Sequence, residues 1–170
     1  MRALIVVESL WGNTEQVGQA IAKQLDSAMA VDLVSSDSAP ENVTDYDLVV
    51  VGGPTHGFSM SRASTREAAR ERENENVPRL PERGIREWLE ALQPVSRPIP
   101  AAAFDTRVDA PRLPGSAAKA ARHELRTLGF DVTLKATSFR VHGYEGPLVD
   151  GELDRAEAWA KTLITEPALR

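Results

Sequence analysis

Ala3-Leu4-Ile5-Val6-Val7-Glu8-Ser9-Leu10-Trp11-Gly12-Asn13-Thr14 joins an apolar run to a polar turn, and a helical pattern starts straight after it. An apolar run without internal alternation fits a strand covered on both faces. Downstream, Val17, Ile21 and Leu25 recur at helical spacing. Asn13 is placed as N-cap, and Gln16 three residues on matches the pattern of a capping box. A strand, a tight loop and a helix N-terminus make an anion-binding junction. The first amides of a helix lack intrahelical partners and carry the positive end of its dipole. Ser9, Asn13 and Thr14 add side-chain donors, and Gly12 lets the backbone come close to a ligand. No lysine or arginine stands in this loop, so neutral dipoles alone are expected to hold a phosphate there.

The same alternation of apolar runs and helical stripes continues along the chain. Leu48 to Val51 is a second unbroken run, whereas Ala30 to Val34 alternates, with Val31 and Leu33 on one face and Asp32 on the other, as an edge strand does. Ile85, Trp88, Leu89 and Leu92 form a helical stripe, with Pro81 as the expected helix start. A fourth strand is expected at Ile99 to Phe104, with Pro98 and Pro100 confined to its entry. Ser116 caps a helix that runs through Ala117, Ala121, Leu125 and Leu128 and is closed by Gly129. Phe130 to Val141 reads as a bent fifth strand, and Leu153 to Ile164 as the last helix. This pattern predicts an α/β fold, a doubly wound five-stranded parallel sheet in a single domain over residues 1–170. Ligands of such sheets gather at the carboxyl ends of strands, where the winding direction reverses.

Composition narrows the chemistry. The 170 residues contain Cys 0, which excludes disulfides, thiolate metal sites and cysteine nucleophiles. A net charge of −5 disfavours nucleic acid and anionic lipid as partners. Neither an export signal nor a membrane-spanning stretch is evident, and the cytoplasm is the expected location. The histidines form no metal set, because His123 falls on the outer face of a helix and His142 near a strand end; His56 suggests a ligand contact or gate. Asp105 and Asp109 are expected to form turns, and Trp88 and Trp159 to lie in the core or between helices.

Two further loops are unusual. After the third strand comes Gly52-Gly53-Pro54-Thr55-His56-Gly57-Phe58-Ser59-Met60-Ser61, whose glycines let main-chain groups face a planar ligand. After the fourth comes Phe104-Asp105-Thr106-Arg107, continuing to Gly115. With these residues in view, the chain resembles the flavodoxin family over nearly its whole length. Ser9 to Thr14 looks like the family's Thr/Ser-x-Thr-Gly-Asn-Thr loop with Trp11 at the central threonine, and Gly52-Gly53-Pro54-Thr55-His56 is similar to flavodoxin-like relatives. The resemblance implies strand order 2-1-3-4-5 and non-covalent FMN. Its phosphate would be held by Ser9, Leu10, Trp11, Gly12, Asn13 and Thr14. Pro54, Thr55, His56 and Gly57 would border one side of its ring, and Phe104, Asp105, Thr106 and Arg107 the other, with Trp11 or Phe58 as apolar cover. Asp105 to Ser116 lacks the family's stacking tyrosine, and Arg107 beside Asp105 would offset the family's carboxylate field, giving a less negative potential.

Three functions follow from this. The first is an electron carrier between a reductase and an acceptor protein, in which FMN does the chemistry and no side chain is catalytic. The second is an FMN-dependent NAD(P)H:quinone oxidoreductase in which His56 and Arg107 orient substrate. The third is a flavin-free interaction module. The charged stretch Arg62 to Asn76 is expected to be either a solvated helix, with Glu67 and Glu71 paired to Arg66, Arg70 and Arg72, or a lid or partner-docking element beside the flavin.

Overall fold

A computed structural model describes residues 1–72 and 80–165. β1 (Arg2–Val7) is buried from Ala3 onward, as the central strand of a covered sheet must be. It pairs in parallel with β2 (Ala30–Ser35) on one side and β3 (Leu48–His56) on the other. A short β4 (Ser59–Met60) folds back antiparallel on the end of β3. β5 (Ala101–Val108) and β6 (Thr137–Val141) extend the parallel sheet, giving the order β2-β1-β3-β5-β6. The five parallel strands thus follow the expected order 2-1-3-4-5, with β4 added beside them.

Successive residues of a strand point to opposite faces, so Leu4 and Ile5 enter different cores. One core packs α1 (Asn13–Leu25) and α5 (Glu152–Thr165) through Val17, Ile21, Leu25, Ala156, Ala160 and Leu163. The other packs α3 (Ile85–Ala91) and α4 (Ala117–Thr127) through Ile85, Trp88, Leu89, Ala121 and Leu125. Trp88 is fully buried and donates its indole N–H to the Pro40 carbonyl at 3.0 Å. Trp159 meets Phe104 and Phe139 edge to face, with centroids 6.1 and 6.2 Å away. α2 (Ala63–Arg72) has no apolar stripe and buries only Arg66.

Several boundaries differ from the sequence reading, each for a local reason. β3 runs on to His56 because β4 pairs with its end, and β5 runs on to Val108 because β6 pairs with Phe104 through Val108. Asp105, Thr106 and Arg107 are therefore strand residues rather than loop residues. Phe130 to Ala136 lies outside any strand, touching the sheet through a Pro100–Asp131 bridge. Arginine side chains of α4 supply the donors a neighbouring strand would have given: Arg122 to the Leu134 carbonyl at 2.8 Å and Arg126 to the Val132 carbonyl at 3.2 Å. α3 begins at Ile85, not Pro81, because the Glu87 carboxylate takes the Gly84 amide at 2.9 Å and fixes the first turn there. Ser116 caps α4 as expected, accepting from the Lys119 amide.

One close contact sets the spacing of the central strands. The ring of Phe104 on β5 lies over Gly52 on β3, where an added Cβ would stand 2.0 Å from the ring. Gly52→Ala should therefore lower the stability to urea by at least about 1–3 kcal/mol. Phe104→Leu in the same background should recover part of the loss, read from the urea midpoints of the single and double variants.

Candidate functional site

The winding reverses between β1 and β3, and the chain leaves their carboxyl ends through the loops that carry the candidate residues. After β1, Gly12 has φ 89 and precedes α1 as its N-cap, displacing the expected cap Asn13. Nothing lies within 4 Å of where a Cβ on Gly12 would sit, so the space in front of α1 is open at that point. The hydroxyl oxygen of Ser9 accepts from the Gly12 amide at 3.1 Å and the Glu15 amide at 3.3 Å. These helix-start amides already converge on one oxygen. Leu10 is buried beneath the loop. Asn13 donates from Nδ2 to the Glu145 carbonyl at 2.7 Å, tying α1 to the segment between β6 and α5. Thr14 and Thr106 share a buried hydroxyl–hydroxyl bond of 2.7 Å.

After β3, Gly57 (φ 53) and Phe58 (φ 69) form the two-residue turn into β4. Positive φ at both positions matches the twist of a tight hairpin, and Phe58 at its tip is 59% exposed. Gly115 (φ 74) passes so near the Phe58 carbonyl that a Cβ there would lie 1.9 Å from its oxygen. The hairpin tip and the segment before α4 are thus packed together. Beside them opens a cleft of about 500 Å³, walled by Trp11, His56, Phe58, Arg107 and Tyr144 and by the Thr65–Ala69 side of α2. Trp11, Thr55 and Arg107 also line a second, narrower cavity of about 30 Å³ against Ser9, Asn13 and Thr14. Pro54 belongs to this narrower cavity. Trp11 and His56 stand with ring centroids 6.2 Å apart, and Arg72 lies 6.0 Å over the Tyr144 ring at the mouth.

β5 sends its candidates in different directions. Phe104 is 1% exposed in the core and lines neither cavity, a correction to its expected place beside a ring. Asp105 is also fully buried, and its Oδ2 accepts from the Ala118 amide at 3.0 Å, Ser116 at 2.5 Å and Thr55 at 2.9 Å. It anchors the N-terminus of α4, where a carboxylate opposes the positive end of the dipole, and forms no turn. Arg107 faces the cleft. Its terminal nitrogens donate to the carbonyls of Gly115 at 2.9 Å and Leu113 at 2.6 Å, and its Nε is buried without a partner. The indole Nε1 of Trp11 is likewise buried and unpartnered.

Beneath the cleft is a charge network that the sequence reading missed. Glu8, 1% exposed, accepts from the Ser61 hydroxyl and, at 2.8 Å, from the Ile85 amide. Arg66 donates to Ser61 at 2.8 Å and to Glu87 at 3.0 Å, with Glu8 at 3.9 Å. The expected exposed pairing of Arg66 on the surface of α2 is thereby corrected; of that set, Arg70 and Glu67 stand 3.7 Å apart. Positions 73–76 of the charged stretch lie outside the described residues. The available signal was an acidic residue continuing the inward phase of β1, together with an arginine on a helix that has no apolar stripe to dock it. Burial pushes the Glu8 carboxyl up, while Ser61, the Ile85 amide and Arg66 pull it back. Burial and then Arg66 lower the His56 imidazole from 6.5 to about 4.

The family model for flavodoxin matches residues 5–91, from within β1 to the end of α3. The chain belongs to the flavodoxin family. Flavodoxin 2 of Bacillus cereus is similar in fold, with TM-score 0.72 and 17% identity over 97% of this chain and 99% of that one. A flavodoxin from the Archaea gives 0.65 and 16% over 97% of each. Rubredoxin oxygen:oxidoreductase of Desulfovibrio gigas gives 0.62 and 18% over 99% of this chain and 36% of the larger one. No curated protein matches the sequence. Among the described residues of this flavodoxin-family chain, no helix is long and apolar enough to cross a membrane.

The residues fit the flavin cofactor that this family implies. The cleft has the volume of a small-molecule site, and two residues that line it, Trp11 and Arg107, each bury a donor without a partner. The narrower cavity meets the open N-terminus of α1.

Two outcomes follow from the buried groups. Because His56 binds its proton less readily when folded, stability should fall by up to about 2–3 kcal/mol as pH drops from 6.5 to about 4. Urea midpoints of His56→Gln should lack most of that slope. Arg66→Met strands the Glu8 carboxylate and should cost about 3 kcal/mol at neutral pH. The penalty should shrink in acid, where Glu8 takes a proton, and urea unfolding across pH measures both effects.

Proposed function

We propose that the protein binds FMN without a covalent link and carries electrons between redox partner proteins in the cytoplasm. The observation that carries this reading is a pair of cavities with shared walls, one wide and apolar between the β3–β4 hairpin and α2, the other narrow at the N-terminus of α1. A flavin mononucleotide has the same division, a broad ring at one end and a phosphate at the other. When bound, FMN supplies the ring that takes up and releases electrons.

This chain's own residues would then divide the work of binding. The amides at the start of α1, with Ser9, Gly12, Asn13 and Thr14, would hold the phosphate, which competes with the Ser9 hydroxyl for the Gly12 and Glu15 amides. Leu10 would support the loop from beneath. Trp11, Pro54, Thr55, His56, Gly57 and Phe58 would bound one side of the ring. Thr106 would brace the Thr14 end, and Arg107 would face the ring from β5. Asp105 would act indirectly, by holding α4 against Thr55. Phe58, Leu113 and Tyr144 are exposed at the mouth, where a partner would approach. α2 forms a wall of the cleft, so the partner would also meet its outer face.

Titrating the apoprotein with FMN should quench flavin fluorescence to a stoichiometric end point, and absence of quenching would favour the flavin-free module. Steady NAD(P)H oxidation with a quinone and no added reductase would instead support the oxidoreductase. Thr14→Val should weaken FMN by about tenfold, a hydrogen bond to a charged group. Riboflavin, which lacks the phosphate, should lose much less, and equal losses for both would remove the phosphate assignment.

A further inference from the structure

We propose that Arg107 makes this cleft favour the reduced, negatively charged form of a bound flavin, by holding a fixed positive charge beside the ring. The inference rests on the FMN reading given above. Three observations carry it. The guanidinium is already fixed, its terminal nitrogens committed to the Gly115 and Leu113 carbonyls, so the planar fork is held in place before any ligand arrives. The residue lines both the wide and the narrow cavities, so its charge borders whatever fills either of them.

The third observation is the sign of the surrounding charge. Among the described residues lining the two cavities, the charged side chains are Arg72 and Arg107, and none is a carboxylate. Asp105, two residues from Arg107 on the same face of β5, spends its Oδ2 on the α4 N-terminus, keeps its Oδ1 buried without a partner, and lines neither cavity. Arg72 is exposed at the mouth, where solvent and salt screen it. Arg107 is the cation seated inside. Two electrons from a protein reductase, or from dithionite in a cuvette, together with one proton convert neutral oxidised flavin to an anion. A fixed cation stabilises that product more than the starting form, so its effect falls on the difference between the two states.

Trp11 provides the contrast. Its side chain lines the same cavities but carries no charge, so as an apolar wall it acts on both states nearly alike. Potentiometric titration of the holoprotein should show Arg107→Gln shifting the two-electron midpoint negative by about 30 mV or more, a tenfold change in the ratio of affinities for reduced and oxidised FMN. Arg107→Lys, which keeps the charge, should restore part of the shift. Trp11→Phe should weaken FMN in both states and leave the midpoint in place.

A wild-type midpoint in Arg107→Gln, or equal shifts in Arg107→Gln and Trp11→Phe, would overturn the proposal while leaving the FMN reading intact. Failure of the wild-type protein to bind FMN would overturn both. A measurement on the unaltered protein covers the case in which the variant does not fold. Sulfite adds to flavin through a new S–N5 bond, and the displaced electron pair settles as negative charge on the N1–C2–O2 edge. It should bleach bound FMN with an affinity at least about tenfold above that for free FMN, a difference of about 1.4 kcal/mol. An affinity no better than that of free FMN would overturn the proposal.

Discussion

A guanidinium buried at the end of β1 has to be answered by carboxylates, and much of the site's geometry follows from that requirement. Arg66 reaches in from α2, Glu8 comes from the end of β1, and Glu87 comes from the first turn of α3. Ser61 and the Ile85 amide complete the set, and Gly84 passes so close that a Cβ would meet both Arg66 and Glu8. None of these groups alone would be stable in the interior; together they fix the relative positions of three chain segments. α2 buries no other side chain, so its position as a wall of the cleft depends on this one arginine.

The sequence made the sheet legible because its central strands are covered on both faces. Ala3 to Val7 and Leu48 to Val51 are apolar without interruption, and the stripes of α1, α4 and α5 repeat at helical spacing. Strand ends were harder to read. Pro54, Thr55, Asp105 and Thr106 are polar or ring-locked residues that resemble a loop, yet pairing of β3 with β4 and of β5 with β3 and β6 keeps them extended. Such pairing joins residues far apart in the chain, and no local pattern reports it.

The candidate site shows the same division. The phosphate-type loop and the Pro-Thr-His segment announced themselves by residue type, and the fold brings them to one cleft. Period-two alternation sorts β5: Phe104 and Thr106 turn toward the α1–α5 side, while Asp105 and Arg107 turn toward α4 and its preceding segment. A strand divides these four residues between two faces, where a loop could have brought them to one. Glu8 and Arg66 escaped notice for a different reason. Their partners come from segments that only the tertiary fold makes adjacent, and charged residues near a polar turn ordinarily belong to the surface.

The Ser9 hydroxyl, resting on the Gly12 and Glu15 amides, has a kinetic meaning as well as a structural one. Without that hydroxyl the helix-start donors would go unanswered; the chain itself supplies their acceptor. Under the proposed FMN reading, a phosphate entering here would exchange one oxygen for another, and its net gain would be the difference between a charged acceptor and a neutral one. Free inorganic phosphate would have to displace the same serine.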